Sequence, residues 1–200
     1  MRYAAFMRAL NVGGRIVKMD ELKKIYAKIG FAGAESFIAS GNIVFESAAK
    51  DRAAMETKIA AGLRKALGYE VATFVRDFDE LAVIGRAMPF KGVEDAPLYY
   101  VGFMHVAPSA ASRKKLLGLS SAVNQLAFTA RELWWYSETP QSDSVLSTKA
   151  LEKALGAPMT FRNLRTVRKM VARWGGASPP RQRGDRSRNE RKQRIIALTS

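Results

Sequence analysis

The 200-residue chain is 48% apolar and 26% charged, a balance that supports a real hydrophobic core. It has no cysteine and one histidine, which excludes disulfides, cysteine nucleophiles, thiolate metal sites and His-rich metal centres. The formal charge of +15 attracts nucleic acid and other anions, and no apolar run approaches the roughly 20 residues that span a bilayer.

In chain order, the apolar run Tyr3 to Met7 predicts a buried strand within residues 2–8, followed by a loop at 9–19 that contains Gly13-Gly14. Leu22, Ile25, Tyr26 and Ile29 share a helical face over 20–29, with Asp20 as the expected cap and Gly30 as the stop. Glu35 to Ala39 and Ile43 to Phe45 read as strands joined by Ser40-Gly41-Asn42. A helix from about Arg52 carries the stripe Met55, Ile59, Leu63 and Leu67 and ends at Gly68, and Glu70 to Val75 is the fourth strand. A connector follows, with a short helix over Asp79 to Ala87 that Met88-Pro89-Phe90-Lys91-Gly92 terminates.

The pattern then recurs. Leu98 to Val106 reads as a strand, Pro108-Ser109 opens a helix ending near Gly118, and 124–129 and 133–136 are strands around a tight turn. A helix at 146–155, a short strand at 159–161 and a helix at 163–174 complete the echo. The expected class is α+β, with duplicated ferredoxin-like (split βαβ) units and antiparallel sheets. The first unit is placed at residues 1–76, the connector at 77–97, the second unit at 98–176 and a basic, flexible tail at 177–200. The segment before Arg8 and Asn11 is too short for a secretory signal, so the expected location is the cytoplasm.

Three stretches are specific. Arg8 to Gly14 with Lys18-Met19, then Phe37 to Ser47, and finally Phe161 to Val167 together resemble the DUF1697 family of bacterial proteins, with Met88-Pro89-Phe90 matching its middle segment. The resemblance runs from residue 1 to about 174 and implies two ferredoxin-like portions; it implies little about activity. Val145 stands where that family commonly has a lysine, and Leu164-Arg165 where it usually has Trp-Asn.

Arg8, Asn11, Gly13, Gly14 and Lys18 lie between a strand and a helix, where glycines let backbone approach an anion and arginine meets two phosphate oxygens. Against this stands a tight connection that needs Gly13 and Gly14 for geometry, with Asn11 bonding locally. Ser40, Asn42, Arg162 and Asn163 are the other ligand-binding candidates, on the expectation that they share one polar cleft with the loop. Ser40 has no evident general base, and His105 reads as structural, so no catalytic residue is assigned. No metal site and no cofactor are assigned either.

The charge is uneven: the last fifty residues carry 13 basic and 3 acidic side chains. Arg165, Lys169 and Arg173, with Arg162 beside its start, cluster on one side of the final helix, opposite Leu164, Val167, Val171 and Trp174. With Arg181, Arg183, Arg186 and Arg188 of the tail they are the nucleic-acid-binding candidates, against the plain alternative of a solvated face over the core. Trp134-Trp135-Tyr136 places rings on both strand faces, of which at most one is expected to be open for base stacking. Two functions compete on these residues: a nucleic-acid or anionic-ligand binding module, and an enzyme acting on a phosphorylated small molecule. The expected partners are the same two ligand types.

Overall fold

The structure, a computed structural model, describes residues 1–11, 13–38, 41–93 and 98–176. Its elements run β1 (Arg2–Met7), α1 (Met19–Lys28), β2 (Glu35–Ser36), β3 (Asn42–Glu46), α2 (Arg52–Leu67), β4 (Thr73–Asp77) and α3 (Phe78–Arg86). They continue β5 (Tyr99–Phe103), α4 (Ala110–Leu117), β6 (Asn124–Thr129), β7 (Glu132–Ser137), α5 (Thr148–Leu155), β8 (Thr160–Asn163) and α6 (Leu164–Trp174). The strands form two antiparallel four-stranded sheets ordered β2-β3-β1-β4 and β6-β7-β5-β8. Both orders are those of the split βαβ unit, so the molecule is α+β with duplicated ferredoxin-like topology.

The alternation of side chains along each strand decides how the sheets are used. Tyr3, Ala5 and Met7 of β1 face α1 and α2, meeting Leu22, Tyr26, Ile59 and Leu63. Ala4 and Phe6 face the other way and meet β5 of the second sheet, where Phe6 stacks on Phe103 with ring centroids 4.2 Å apart. The outer face of the second sheet is covered in turn: Trp135, Leu133 and Leu126 pack against Leu116 of α4 and Leu151 of α5. Three apolar layers therefore alternate with two sheets, and the middle one belongs to both halves. α3 and α6 close that middle layer with Phe78, Leu81 and Ile84 on one helix and Leu164, Val167, Met170 and Trp174 on the other. Gly102 in β5 is needed for close packing, because a Cβ there would stand 2.6 Å from the Phe161 ring of β8.

Helix ends follow local chemistry. Asp51, Ser109, Ser147 and Asn163 each accept a backbone N–H at the start of their helix, and Asp77 with Glu80 forms a full capping box on α3. Gly68 and Gly156 adopt left-handed conformations that end α2 and α5. Several expectations change, and the strand expected from Leu98 to Val106 is only Tyr99–Phe103. Asp20 does not cap α1; the cap position is Lys18, whose side chain makes no capping bond, and Asp20 lies in the first turn. The strand expected at 35–39 is only Glu35–Ser36, because the chain turns at Ile38 (φ +53°). The fourth strand is shifted to Thr73–Asp77, which carries Arg76 into the sheet.

Candidate functional site

The seam between the sheets brings together part of the polar set expected from sequence. Arg162, on β8, reaches the end of β1 and the start of β3: its Nη2 donates to Met7 O at 2.9 Å and to Gly41 O, and its Nε donates to Asn42 Oδ1. Its Nη1 donates to Thr160 Oγ1 and Phe161 O, and the guanidinium lies 5.6 Å from the Phe6 ring centroid. Burial pushes the Arg162 guanidinium down to about 10. Asn42 is 2% exposed and also donates to Phe37 O. Gly41 (φ +75°) has a left-handed backbone and leaves its Cβ position 3.1 Å from Met7 Cβ, so the turn is built for a close approach. Arg162 and Asn42 thus join the two sheets from inside.

The other candidates are not gathered around them in one open cleft. Arg8 turns to α5, where its Nη2 donates to Glu152 Oε2 at 2.6 Å, and that hydrogen bond raises its pKa further. It lines a shallow cleft of 610 Å³ with Lys149, Lys153 and Pro158. Asn11 Oδ1 accepts from Val17 N at 2.9 Å, closing its own loop over the left-handed Gly13 and Gly14. Lys18 is exposed before α1, and Asn163 Oδ1 accepts from Arg165 N as the cap of α6. The single cleft is divided because Arg8 and Arg162 each meet nearer acceptors in the protein. Ser40 lies outside the described residues.

α6 is a basic amphipathic helix. Leu164, Val167, Met170 and Trp174 are buried, while Arg165, Lys169 and Arg173 are exposed. Arg173 lies 4.4 Å from the Trp174 ring centroid and 3.4 Å from Glu35. Arg168, on the flank, donates to Gly85 O and anchors α6 to α3. Trp134 and Trp135 are both fully buried, the first in the layer between the sheets and the second under α4 and α5. Their indole N–H groups are satisfied by Thr129 and Asn124, so the expected stacking face is core on both sides. Arg181, Arg183, Arg186 and Arg188 lie outside the described residues.

A second polar cluster was not anticipated. Arg76, on β4, is fully buried and donates to Glu132 Oε1 of β7 at 2.9 Å and to Met104 O at 2.8 Å. Burial lowers its pKa, against the pull of Glu132. Arg131 beside it donates to Glu80 at 2.8 Å and to His105 O, and Arg52 also pairs with Glu80. Glu56, buried on α2, accepts from Val75 N at 2.7 Å and faces His105 Nδ1 at 2.8 Å. Both signals were present as periodicity: Glu56 sits three and seven residues before Ile59 and Leu63 on the buried helical stripe, and Arg76 follows Phe74 at strand spacing. Among the described residues no group of three His, Asp or Glu side chains is placed to hold a metal, and no helix is long and apolar enough to cross a membrane.

A family model described as a protein of unknown function, DUF1697, matches residues 1–134. The conserved bacterial protein SP0830 from Streptococcus pneumoniae has a similar solved structure, with a TM-score of 0.65 and 22% identity over 86% of this chain and 97% of that one. At that identity the likeness concerns the fold. No curated protein matches the chain.

Proposed function

From the premise that this chain belongs to the DUF1697 family, we propose that it is a cytoplasmic nucleic-acid-binding module that grips the phosphate backbone through the outer face of α6. The observation that carries this is the arrangement of Arg165, Lys169 and Arg173 on the exposed side of a helix whose opposite side is fixed in the core. Spaced four residues apart, they extend over about 12 Å of helix, the reach of three to four phosphates along one strand. A rigid row of cations suits backbone recognition, because the side chains are presented without the ordering cost of a free segment. The tail continues this charge in sequence with Arg181, Arg183, Arg186 and Arg188.

Burial of Trp134 and Trp135 favours backbone over base recognition. Binding that rests on charge is weakly sequence-dependent and strongly salt-dependent. We expect the full chain to bind single- and double-stranded nucleic acid with a steep negative salt slope. Arg165→Glu with Lys169→Glu should reduce that slope by about 2 and weaken binding on every sequence alike. Equal affinity and slope for the double variant and the unmodified chain would remove α6 from the interface.

A further inference from the structure

A groove of 830 Å³ runs between α2 and the segment that leaves β5, away from α6. His105 and the buried Glu56 stand at one end of it, and Arg64, Lys65 and Glu70 at the other, with Ala60 and Ala61 between. We propose that this groove is an acid–base site for a small organic phosphate, with His105 as proton acceptor and Glu56 as the residue that positions it.

The case begins with the carboxylate. Glu56 accepts from Val75 N through Oε1 and faces His105 Nδ1 through Oε2. An ionised carboxylate only accepts hydrogen bonds, so the ring nitrogen facing it carries the proton. The far nitrogen, Nε2, is then the one with a lone pair, as a general base requires. The ring and the backbone that carries it are held at three points. It stacks on Phe74 with centroids 4.3 Å apart, its backbone carbonyl accepts from Arg131, and Arg76 fixes the preceding carbonyl of Met104. Its side chain is nevertheless 38% exposed, so a ligand can reach it. The charged groups around it are Glu56 from α2, Arg131 from the β6–β7 turn, and, one residue away, the Arg76–Glu132 pair.

The two hydroxyls of the groove are not free to act as nucleophiles. Thr57 donates its hydroxyl to Ala53 O and Thr73 to Val71 O, so both are spent on backbone. The proton that Nε2 takes must therefore come from the ligand's hydroxyl or from water; the electron pair stays on that oxygen, and Glu56 faces the resulting imidazolium. At the far end Glu70 pairs with Arg64 at 2.9 Å, and the exposed Lys65 adds a further cation. Glu56 and Lys65 are nine positions apart, about 14 Å along the helix. A hydroxylated molecule with a terminal phosphate, of the size of a nucleoside monophosphate, bridges that span across a floor of alanines.

His105 is the only histidine, so its imidazole is a unique nuclear magnetic resonance reporter in the isotope-labelled full chain. In the neutral ring we expect an unprotonated Nε2 and a protonated Nδ1, and a mixed tautomer in Glu56→Gln. Uridine 5′-monophosphate should shift the signal saturably, with uridine at least about tenfold weaker. Lys65→Glu and Ala61→Trp, both at exposed positions that leave the core intact, should each weaken the nucleotide by a similar factor, whereas Arg165→Glu with Lys169→Glu should leave it unchanged. A proton on Nε2, a signal indifferent to millimolar nucleotide, or equal affinity in Ala61→Trp would overturn the site.

Discussion

Arg76 and Glu132 meet where one would look for hydrophobic residues, in the layer shared by the sheets. The pair is worth little as a net source of stability, because taking both charges out of water offsets their attraction. Its members are strongly coupled all the same. Removing one leaves the other buried and unpaired, so Arg76→Met should cost about 3–5 kcal/mol in denaturant unfolding. Arg76→Met combined with Glu132→Leu should recover most of that loss. A double variant as unstable as the sum of its single variants would show that Met104 O, which also accepts from Arg76, matters more than Glu132. Arg162 belongs to the same type: a cation enclosed by backbone carbonyls and Asn42, serving the seam rather than an open ligand site.

At the scale of elements, α3 shows how one cap can serve two purposes. Asp77 accepts from Glu80 N while the Glu80 carboxylate accepts from Asp77 N, and the same Glu80 pairs with Arg131 and Arg52. Burial works to raise the Glu80 carboxyl, but the hydrogen bonds from Arg131 and the Asp77 backbone, with the charges of Arg131 and Arg52, hold it below its ordinary value of 4.5. A depressed acid stabilises the fold above its unfolded pKa, and that share disappears as pH falls through the folded one. The unmodified chain should therefore lose stability as pH drops below about 4.5, and Glu80→Gln should be less stable at neutral pH while lacking that part of the acid loss. Thermal melts of both proteins across the acid range measure the difference.

For the molecule as a whole, the shared middle layer makes the halves interdependent. Phe103 of β5 stacks on Phe6 of β1, and Trp174 of α6 touches Phe37 from the first half and Phe78 of α3. Phe103→Ala should cost about 3–5 kcal/mol through the cavity it leaves. We expect that loss to appear equally in hydrogen exchange at β3 and at β7, within one cooperative transition. Protection lost in the second sheet alone would mean that the halves unfold separately. The basic face of α6 depends on the same packing, since the residues that bury Trp174 also hold Arg165, Lys169 and Arg173 in register.

Element order, most helix ends and the duplicated topology were legible in the chain because they depend on short-range periodicity and caps: the stripe Met55, Ile59 and Leu63, the left-handed Gly68 and Gly156, and the apolar run of β1. The exposed cations of α6 followed from the same helical period. What only the tertiary structure decided is which polar groups meet. Arg8 found Glu152 and Arg76 found Glu132 at sequence separations of 144 and 56 residues, and Glu56 found His105 at 49. Periodicity can assign a side chain to a face, but partners across two stacked sheets depend on how those faces come together, which no local pattern encodes.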